Sequence, residues 1–187
     1  PTSLVQGQPC ATSVENPVPS LPGGSRMQQD SDLSGVNGKV VASLARVLYE
    51  HGGQPDTGDG PVEVRFEDGA TLLLDGGSDG ETLRTSSSPW RDPFEGKLTQ
   101  ENRAYIQEHG KWTRVDVSNE DAYRDIVGSA VVEAAPLFNE FGRLSGVKLA
   151  TIDRTMWFVI EGDECHVRWA HPIGFTETRT TPDRGSQ

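Results

Sequence analysis

Three short apolar runs between residues 144 and 169 constrain the fold of this chain more than any other feature. They cover residues 146–152, 156–160 and 165–169, are rich in Val, Ile, Phe and Trp, and are separated by short polar turns. Loops this short are typical of antiparallel neighbours, because a crossover to a parallel strand needs about a dozen residues or more. The pattern therefore predicts an antiparallel meander.

A second meander is predicted earlier in the chain. Residues 62–67 alternate apolar and charged side chains, and Asp68-Gly69 separates them from the apolar run 70–74. Asp-Gly between two such runs is a strong hairpin signal. A Gly-rich turn then leads to a short strand over residues 81–85. The two meanders are similar in outline, so they are either related halves of a duplicated chain or similar by chance.

Periodicity and capping patterns predict about three short helices. Residues 36–50 place apolar side chains at helical spacing with polar ones opposite, which indicates an amphipathic helix. Thr99 is the expected N-cap of a helix over residues 100–109. Ser118 begins a capping-box pattern for a further short helix. The predicted fold class is therefore α+β, with antiparallel meanders packed against these helices.

One segment between the meanders permits either helix or strand. Residues 129–138 contain β-branched residues and an alanine pair, and a turn pattern follows them. A strand is preferred because the turn would then lead back into the C-terminal meander. Pro136 lacks an N–H group, so it would place this strand at a sheet edge or a bulge.

The 187-residue chain is long enough for one domain with its own core, predicted over residues 31–176. Residues 1–30, rich in Pro, Ser, Gly and Gln, are expected to be a flexible tail or a cloning remnant. Residues 177–187 are expected to be a polar C-terminal tail. No apolar run approaches the roughly 20 residues of a membrane-spanning helix, and a cytoplasmic location is expected.

The net charge of −11 argues against nucleic acids and anionic membranes as partners. Affinity for either depends on Lys and Arg side chains that approach phosphates. An acidic protein is suited to a basic protein partner, because complementary fields speed association and fix orientation. The alternative is that the acidity only keeps the protein soluble.

The candidate partner-binding surface combines acidic side chains on turns and strand edges with two aromatic residues in a connector. Aromatic anchors with a charged rim are typical of protein interfaces. The alternative is that the aromatic residues fold back over the core. The predicted partner-binding residues are Asp68, Asp75, Asp79, Glu81, Trp90, Asp92, Phe94 and Glu95.

No catalytic residue, metal ligand or cofactor is assigned from the sequence. On the predicted last strand Glu164 and His166 share one face, and together with His171 they could form a 2-His-1-carboxylate site. No motif of the HExxH kind accompanies them, and a solvated strand face is the alternative. Cys165 is expected to point inward as a small core residue. An enzyme built around His166, Glu164 and His171 is one alternative function.

The α+β middle of the chain from about residue 33 to 175, the acidic hairpin Phe66-Glu67-Asp68-Gly69 and the turn Gly162-Asp163-Glu164 carry a resemblance. In these features the chain resembles the small acidic immunity proteins that accompany bacterial polymorphic toxins. The resemblance implies a non-catalytic protein that binds a basic cognate toxin and occludes its active site. The remaining alternative is an accessory or structural domain of a larger assembly.

Overall fold

The computed structural model describes residues 33–56, 58–96 and 98–177. Both expected tails, apart from the first residue of the C-terminal one, lie outside the described residues. The elements of the described part are, in order, a 3-10 turn Ser34–Val36, β1 Val41–His51, β2 Gln54–Pro55, β3 Val62–Phe66, β4 Thr71–Gly76, β5 Leu83–Ser86, α1 Gln100–His109, β6 Lys111–Asp116, β7 Val131–Phe138, β8 Leu144–Thr151, β9 Thr155–Glu161 and β10 Glu164–Arg168.

The strands form two antiparallel sheets. In the first sheet β1 pairs with β2, β3 and β6, and β4 and β5 follow β3 in order. In the second sheet β7, β8, β9 and β10 lie side by side in chain order. Both predicted meanders are confirmed as antiparallel strands. The described residues contain one α-helix, so the prediction of about three helices is wrong, and this part of the chain consists mainly of antiparallel sheet. Descent of the two meanders from one duplicated unit stays a prediction.

One hydrophobic core lies between the two sheets. The first sheet contributes the fully buried Leu44, Val64 and Leu74, and the second contributes Leu149 and Phe158. Fully burying side chains of this size stabilises the fold by about 1.5–3 kcal/mol each. Each sheet therefore covers the apolar face of the other.

The helix predicted over residues 36–50 is wrong, because this segment forms the central strand β1. All five residues from 44 to 48 are buried. A strand covered on both faces has no polar side chain at every second position. Leu44, Val47 and Leu48 therefore recur at the same spacing as residues on one face of a helix, and this spacing led to the wrong prediction of a helix.

The short helix predicted from Ser118 is also wrong, and the segment forms successive turns. A capping box needs the hydroxyl of its first residue to accept from the backbone of the new helix. The Ser118 hydroxyl instead accepts from Leu44 N–H at 3.0 Å and donates to the Leu44 carbonyl at 3.2 Å. Tyr123 and Ile126 of this segment nevertheless pack into the core.

Two local predictions are confirmed. Helix α1 begins after Thr99, whose hydroxyl accepts from Asn102 N–H at 3.2 Å, and it ends at Gly110. Strand β7 lies at the edge of its sheet, paired with β8, so Pro136 occupies an edge strand.

The two sheets are joined at two points by backbone contacts. Val40 and Ala130 form an isolated antiparallel bridge next to the starts of β1 and β7. At the second point Gly60 N–H donates to the Cys165 carbonyl at 2.9 Å. Gly60 has φ +148°, and a Cβ there would lie 2.0 Å from the Val47 carbonyl oxygen, so only glycine fits. No helix within the described ranges has the length and apolar composition to cross a membrane.

Candidate functional site

A cleft of about 530 Å³ opens where the two sheets meet. Its size falls within the roughly 300–1,000 Å³ of small-molecule sites. Five carboxylates line it, from Asp56, Asp59, Asp75, Asp163 and Glu164. Three aromatic side chains line it as well, from Tyr49, Trp90 and Trp112. The described lining residues include no Lys, Arg or His, so the cleft is both aromatic and strongly acidic.

The turn between β9 and β10 positions two of these carboxylates. Strands β9 and β10 are joined by Gly162 and Asp163, whose φ angles of 60° and 69° are both positive. Two-residue turns with positive φ at both positions suit the twist of antiparallel strands, and Gly and Asp are favoured in them. The turn therefore brings Asp163 and the first residue of β10, Glu164, to the rim of the cleft.

A buried arginine fixes the wall of the cleft. Arg46, on the central strand β1, is 5% exposed. Its guanidinium donates to the carbonyl oxygens of Gly58 and Gly60 at 3.2 Å and of Cys165 at 3.5 Å, and to the Tyr123 hydroxyl at 3.0 Å. These bonds hold the segment before β3 against β10. The sequence pattern placed Arg46 on a solvent-facing helix surface, so its role was not predicted.

A buried carboxylate holds the connector that contains Trp90. Glu63, on β3, is fully buried and accepts from Arg65 Nε at 2.7 Å and Arg114 Nε at 2.9 Å. It also accepts from the backbone N–H of Trp90 at 2.7 Å. Burial raises the pKa of the Glu63 carboxyl, but the hydrogen bonds from Trp90, Arg114 and Arg65 outweigh it and leave the pKa below its ordinary value. An ionised Glu63 thereby anchors the aromatic wall.

Two of the residues predicted to bind a partner, Asp75 and Trp90, lie in the cleft. The others lie on turns, strand edges and the connector outside it. Phe94 packs against Tyr105 of helix α1, with ring centroids 6.0 Å apart, and Glu95 is exposed beside it.

Most of the predicted acidic residues already bond to groups of this chain. The ion pairs are Asp68 with Lys39, Asp75 with Arg84, Glu81 with Arg143, and Asp92 with Lys111. Asp79 instead accepts from the Thr82 hydroxyl at 2.8 Å and from the Thr82 backbone N–H at 3.0 Å, which lowers its pKa. These carboxylates are less available to a partner than those of Asp56, Asp163 and Glu164 in the cleft, which make no ion pair with a Lys or Arg of the described residues.

His166 belongs to a cluster that differs from the predicted one. Its Nδ1 contacts an Asp59 carboxylate oxygen, and its Nε2 lies 3.9 Å from Glu164 Oε2 and 3.2 Å from the Glu161 carbonyl. Ligand atoms of Asp59, Glu164 and His166 lie within 4.8 Å of one another, so these three could hold a metal ion. His171 does not complete this set, since its ring packs edge-on against Trp157 at 6.2 Å.

The thiol of Cys165 lines the cleft as well. Burial, with a smaller contribution from the charge of Asp75, raises the pKa of Cys165 to about 11. Since the thiolate is the reactive form, this thiol is a poor nucleophile at neutral pH. The prediction of an inward-facing core residue is confirmed, because Cys165 is buried in the shared core.

Sequence reasoning did not single out several residues of the site, above all Tyr49, Trp112 and Asp163. One signal was available for the loop before β3, where Asp56 and Asp59 stand in an acidic stretch of the sequence. Tyr49 and Trp112 carried no signal, since they come from strands far apart in the chain. Comparison of the chain with protein-family models, with curated proteins and with solved structures finds no match.

Proposed function

We propose that this protein is a non-catalytic binding protein for a basic protein partner and that the acidic cleft is its contact site. The observation that carries the proposal is the cleft itself, with five carboxylates, three aromatic side chains and no basic residue among its described lining. Aromatic anchors surrounded by polar groups are typical of energetically important interface centres.

Charge supports a basic partner rather than an acidic or neutral one. Within the described residues, Asp56 and Asp163 form no ion pair, and Glu164 is exposed with only His166 nearby. Carboxylates without an internal cation gain most from a positively charged group brought by a partner. The net charge of −11 adds a long-range field that attracts such a partner.

The state of the chemical groups in the cleft favours binding over catalysis. The Cys165 thiol, with a pKa of about 11, is protonated at neutral pH. Both ring nitrogens of His166 face oxygen atoms of this chain, Nδ1 the Asp59 carboxylate and Nε2 the Glu161 carbonyl. His171, the third member of the enzyme hypothesis, packs against Trp157 instead.

Among basic partners, a toxin of a bacterial polymorphic toxin system is the one we propose, with this chain as its immunity protein. The support is the acidic character of the chain and of its cleft. In this role the protein would act in the cytoplasm and occlude the active site of the toxin. An accessory domain of a larger assembly is the second candidate, and it predicts a stable partner that is not inhibited by binding.

The test begins with the protein that co-purifies with this chain. Its association rate is measured by stopped-flow mixing at low and high salt, with the wild type and with the triple variant Asp56→Asn, Asp163→Asn, Glu164→Gln. We expect the variant to slow association about tenfold or more at low salt and to weaken its salt dependence. Asparagine tolerates the positive φ of residue 163, so the turn is kept.

A matched control neutralises three exposed carboxylates outside the cleft, Glu67, Glu120 and Glu140. This variant carries the same net charge as the cleft variant, so it separates local contact from overall charge. Equal effects of the two triple variants, or no effect of either, would contradict the acidic cleft as the contact site.

A further inference from the structure

We propose that the cleft binds one arginine side chain of the partner, with its guanidinium group against the aromatic walls and its N–H groups directed at the rim carboxylates. This inference rests on the proposed function and names the chemical group that the cleft recognises. The charge of the cleft, its internal bonding and its aromatic walls support this inference.

The rim offers carboxylates that are not neutralised from within. Of the five, Asp75 is paired with Arg84 at 2.6 Å and Asp59 contacts His166. Among the described residues, Asp56 accepts only from the Gly58 N–H at 3.1 Å, Asp163 is exposed and forms no ion pair, and Glu164 is exposed with His166 Nε2 at 3.9 Å. These three carboxylates, on two sides of one opening, are suited to a cation that donates several hydrogen bonds at once.

The buried Arg46, which holds the wall of the cleft, does not fill this role. The guanidinium of Arg46 is buried, and its NH1 and NH2 groups point to the Tyr123 hydroxyl and to backbone carbonyls. It makes no ion pair with a rim carboxylate within the described residues. The negative charge of the rim is therefore left for a group from outside the chain.

The aromatic walls leave large apolar surfaces facing solvent. Trp112 is 46% exposed and Tyr49 is 38% exposed, with their ring centroids 5.8 Å apart in an edge-to-face arrangement. Trp90 lies on the same cleft and is held by Glu63. Exposed aromatic surface next to carboxylates suits a side chain with an apolar stem and a flat cationic head.

Arginine fits these features better than lysine. The guanidinium is planar, is weakly hydrated, stacks on aromatic faces and donates bidentately to carboxylates. The ammonium group of lysine is a compact, strongly hydrated point charge, and it would give up more hydration to enter an aromatic cleft. Gly76 and Gly77 also line the cleft, so their backbone amides can report on its occupation.

The experiment uses the full chain and blocked single amino acids as probes. N-acetyl-arginine amide, the corresponding lysine and citrulline compounds and Zn²⁺ are each titrated while ¹H–¹⁵N spectra are recorded. Citrulline is the key comparison, because it keeps the shape of arginine and removes its charge. We expect arginine to shift the indole N–H signals of Trp90 and Trp112 and the amides of Gly76 and Gly77, with lysine binding about threefold or more weakly.

Variants assign the binding to the rim. Asp163→Asn with Glu164→Gln is expected to weaken arginine binding about fivefold or more, because charge-assisted hydrogen bonds are lost. Glu120→Gln with Glu140→Gln, which neutralises two exposed carboxylates outside the cleft, is expected to leave it unchanged. Equal shifts with citrulline, shifts elsewhere in the protein, or lysine bound as tightly as arginine would overturn the inference. Shifts that appear with Zn²⁺ alone would replace it by a metal site at Asp59, Glu164 and His166.

The outcome is separable from that of the proposed function. If the cleft variants abolish binding of the co-purified partner but arginine does not shift the cleft signals, the inference fails and the proposed function stands. If arginine binds in the cleft but the partner is indifferent to the cleft variants, the protein-binding role fails and the cleft is a receptor for a small guanidinium compound.

Discussion

At the scale of single residues, two buried charges organise the site in different ways. Glu63 is fully buried and is satisfied by two arginines and a backbone N–H. Arg46 is buried without a carboxylate partner among the described residues; its two terminal nitrogens donate to neutral oxygens, while its Nε has no hydrogen-bond partner among them. A buried charge is costly unless it is well hydrogen-bonded. The hydrogen bonds of both side chains also connect segments that are far apart in the chain.

Glu63→Gln tests the first of these charges. We expect the variant to lower the free energy of unfolding at neutral pH by about 2–4 kcal/mol, because two arginines lose their buried anion. Glu67→Gln is the control: Glu67 is exposed in the turn between β3 and β4, and its loss should change stability by less than about 0.5 kcal/mol. Urea denaturation of the three proteins measures both effects.

The effect of Glu63 also depends on pH in a defined direction. Its folded-state pKa is depressed below the ordinary value of 4.5. The stability from its charge is therefore complete above about pH 4.5 and is lost as the pH falls through the folded pKa. We expect the stability difference between the wild type and Glu63→Gln to shrink on acidification. A difference that grows below this pH would contradict an ionised Glu63.

Arg46→Met tests the second charge. The variant removes the donors to the Gly60 and Cys165 carbonyls, and we expect a loss of about 2 kcal/mol, partly offset by relief of the buried charge. Amide hydrogen exchange at Gly60 should accelerate, since its N–H bond to Cys165 loses its support. Arg91→Met, at an exposed arginine, should leave both measurements unchanged.

At the scale of elements, what the sequence could predict depended on how each element is buried. Strands β3 and β4 are joined by a turn with a strong hairpin signal, so the alternation of residues 62–67 and the Asp68-Gly69 pair were sufficient to predict them. Strand β1 is buried on both faces, and the spacing of its apolar residues resembles that of a helix. Its pairing with β3 and β6 cannot be detected from the spacing of residues within the strand. The N-cap Thr99 identified α1 because capping is local.

Helix α1 has a consequence of its own, since none of its residues is buried. A helix of ten residues is marginal without packing, so α1 is expected to open independently of the sheets. Thr99→Ala removes the cap and should lower protection of the α1 amides from hydrogen exchange about fivefold, near 1 kcal/mol. Amides of β8 and β9 should keep their protection. Loss of protection in the sheets as well would show that α1 unfolds only with the whole protein.

At the scale of the whole molecule, the site exists because two sheets meet. Asp75 and Trp112 come from the first sheet and Glu164 from the second, and the chain between them spans most of the domain. No local sequence pattern predicts that segments so far apart in the chain come into contact. The sequence could predict an acidic surface, but the cleft required the register of both sheets.

The junction itself can be tested with two glycines of one loop. Gly60→Ala would place a Cβ 2.0 Å from the Val47 carbonyl oxygen, and we expect it to destabilise the protein by more than about 2 kcal/mol. At Gly58 a Cβ would meet nothing closer than its neighbour Asp56 at 3.5 Å, so Gly58→Ala should stay within about 1 kcal/mol of the wild type. Thermal unfolding distinguishes them, and similar losses in both would contradict a special role of the junction.

The hydrogen bond from the Gly60 N–H to the Cys165 carbonyl joins the two sides of the cleft, and one side belongs to each sheet. An occupant that touches both sides would favour the closed sandwich over any state in which the sheets separate, by simple mass action. Inside a cell, where proteases act on opened chains, the abundance of this protein would then follow the supply of such an occupant. Unbound protein molecules would be degraded first, so the cellular amount of this protein would match the amount of its occupant without a dedicated regulator.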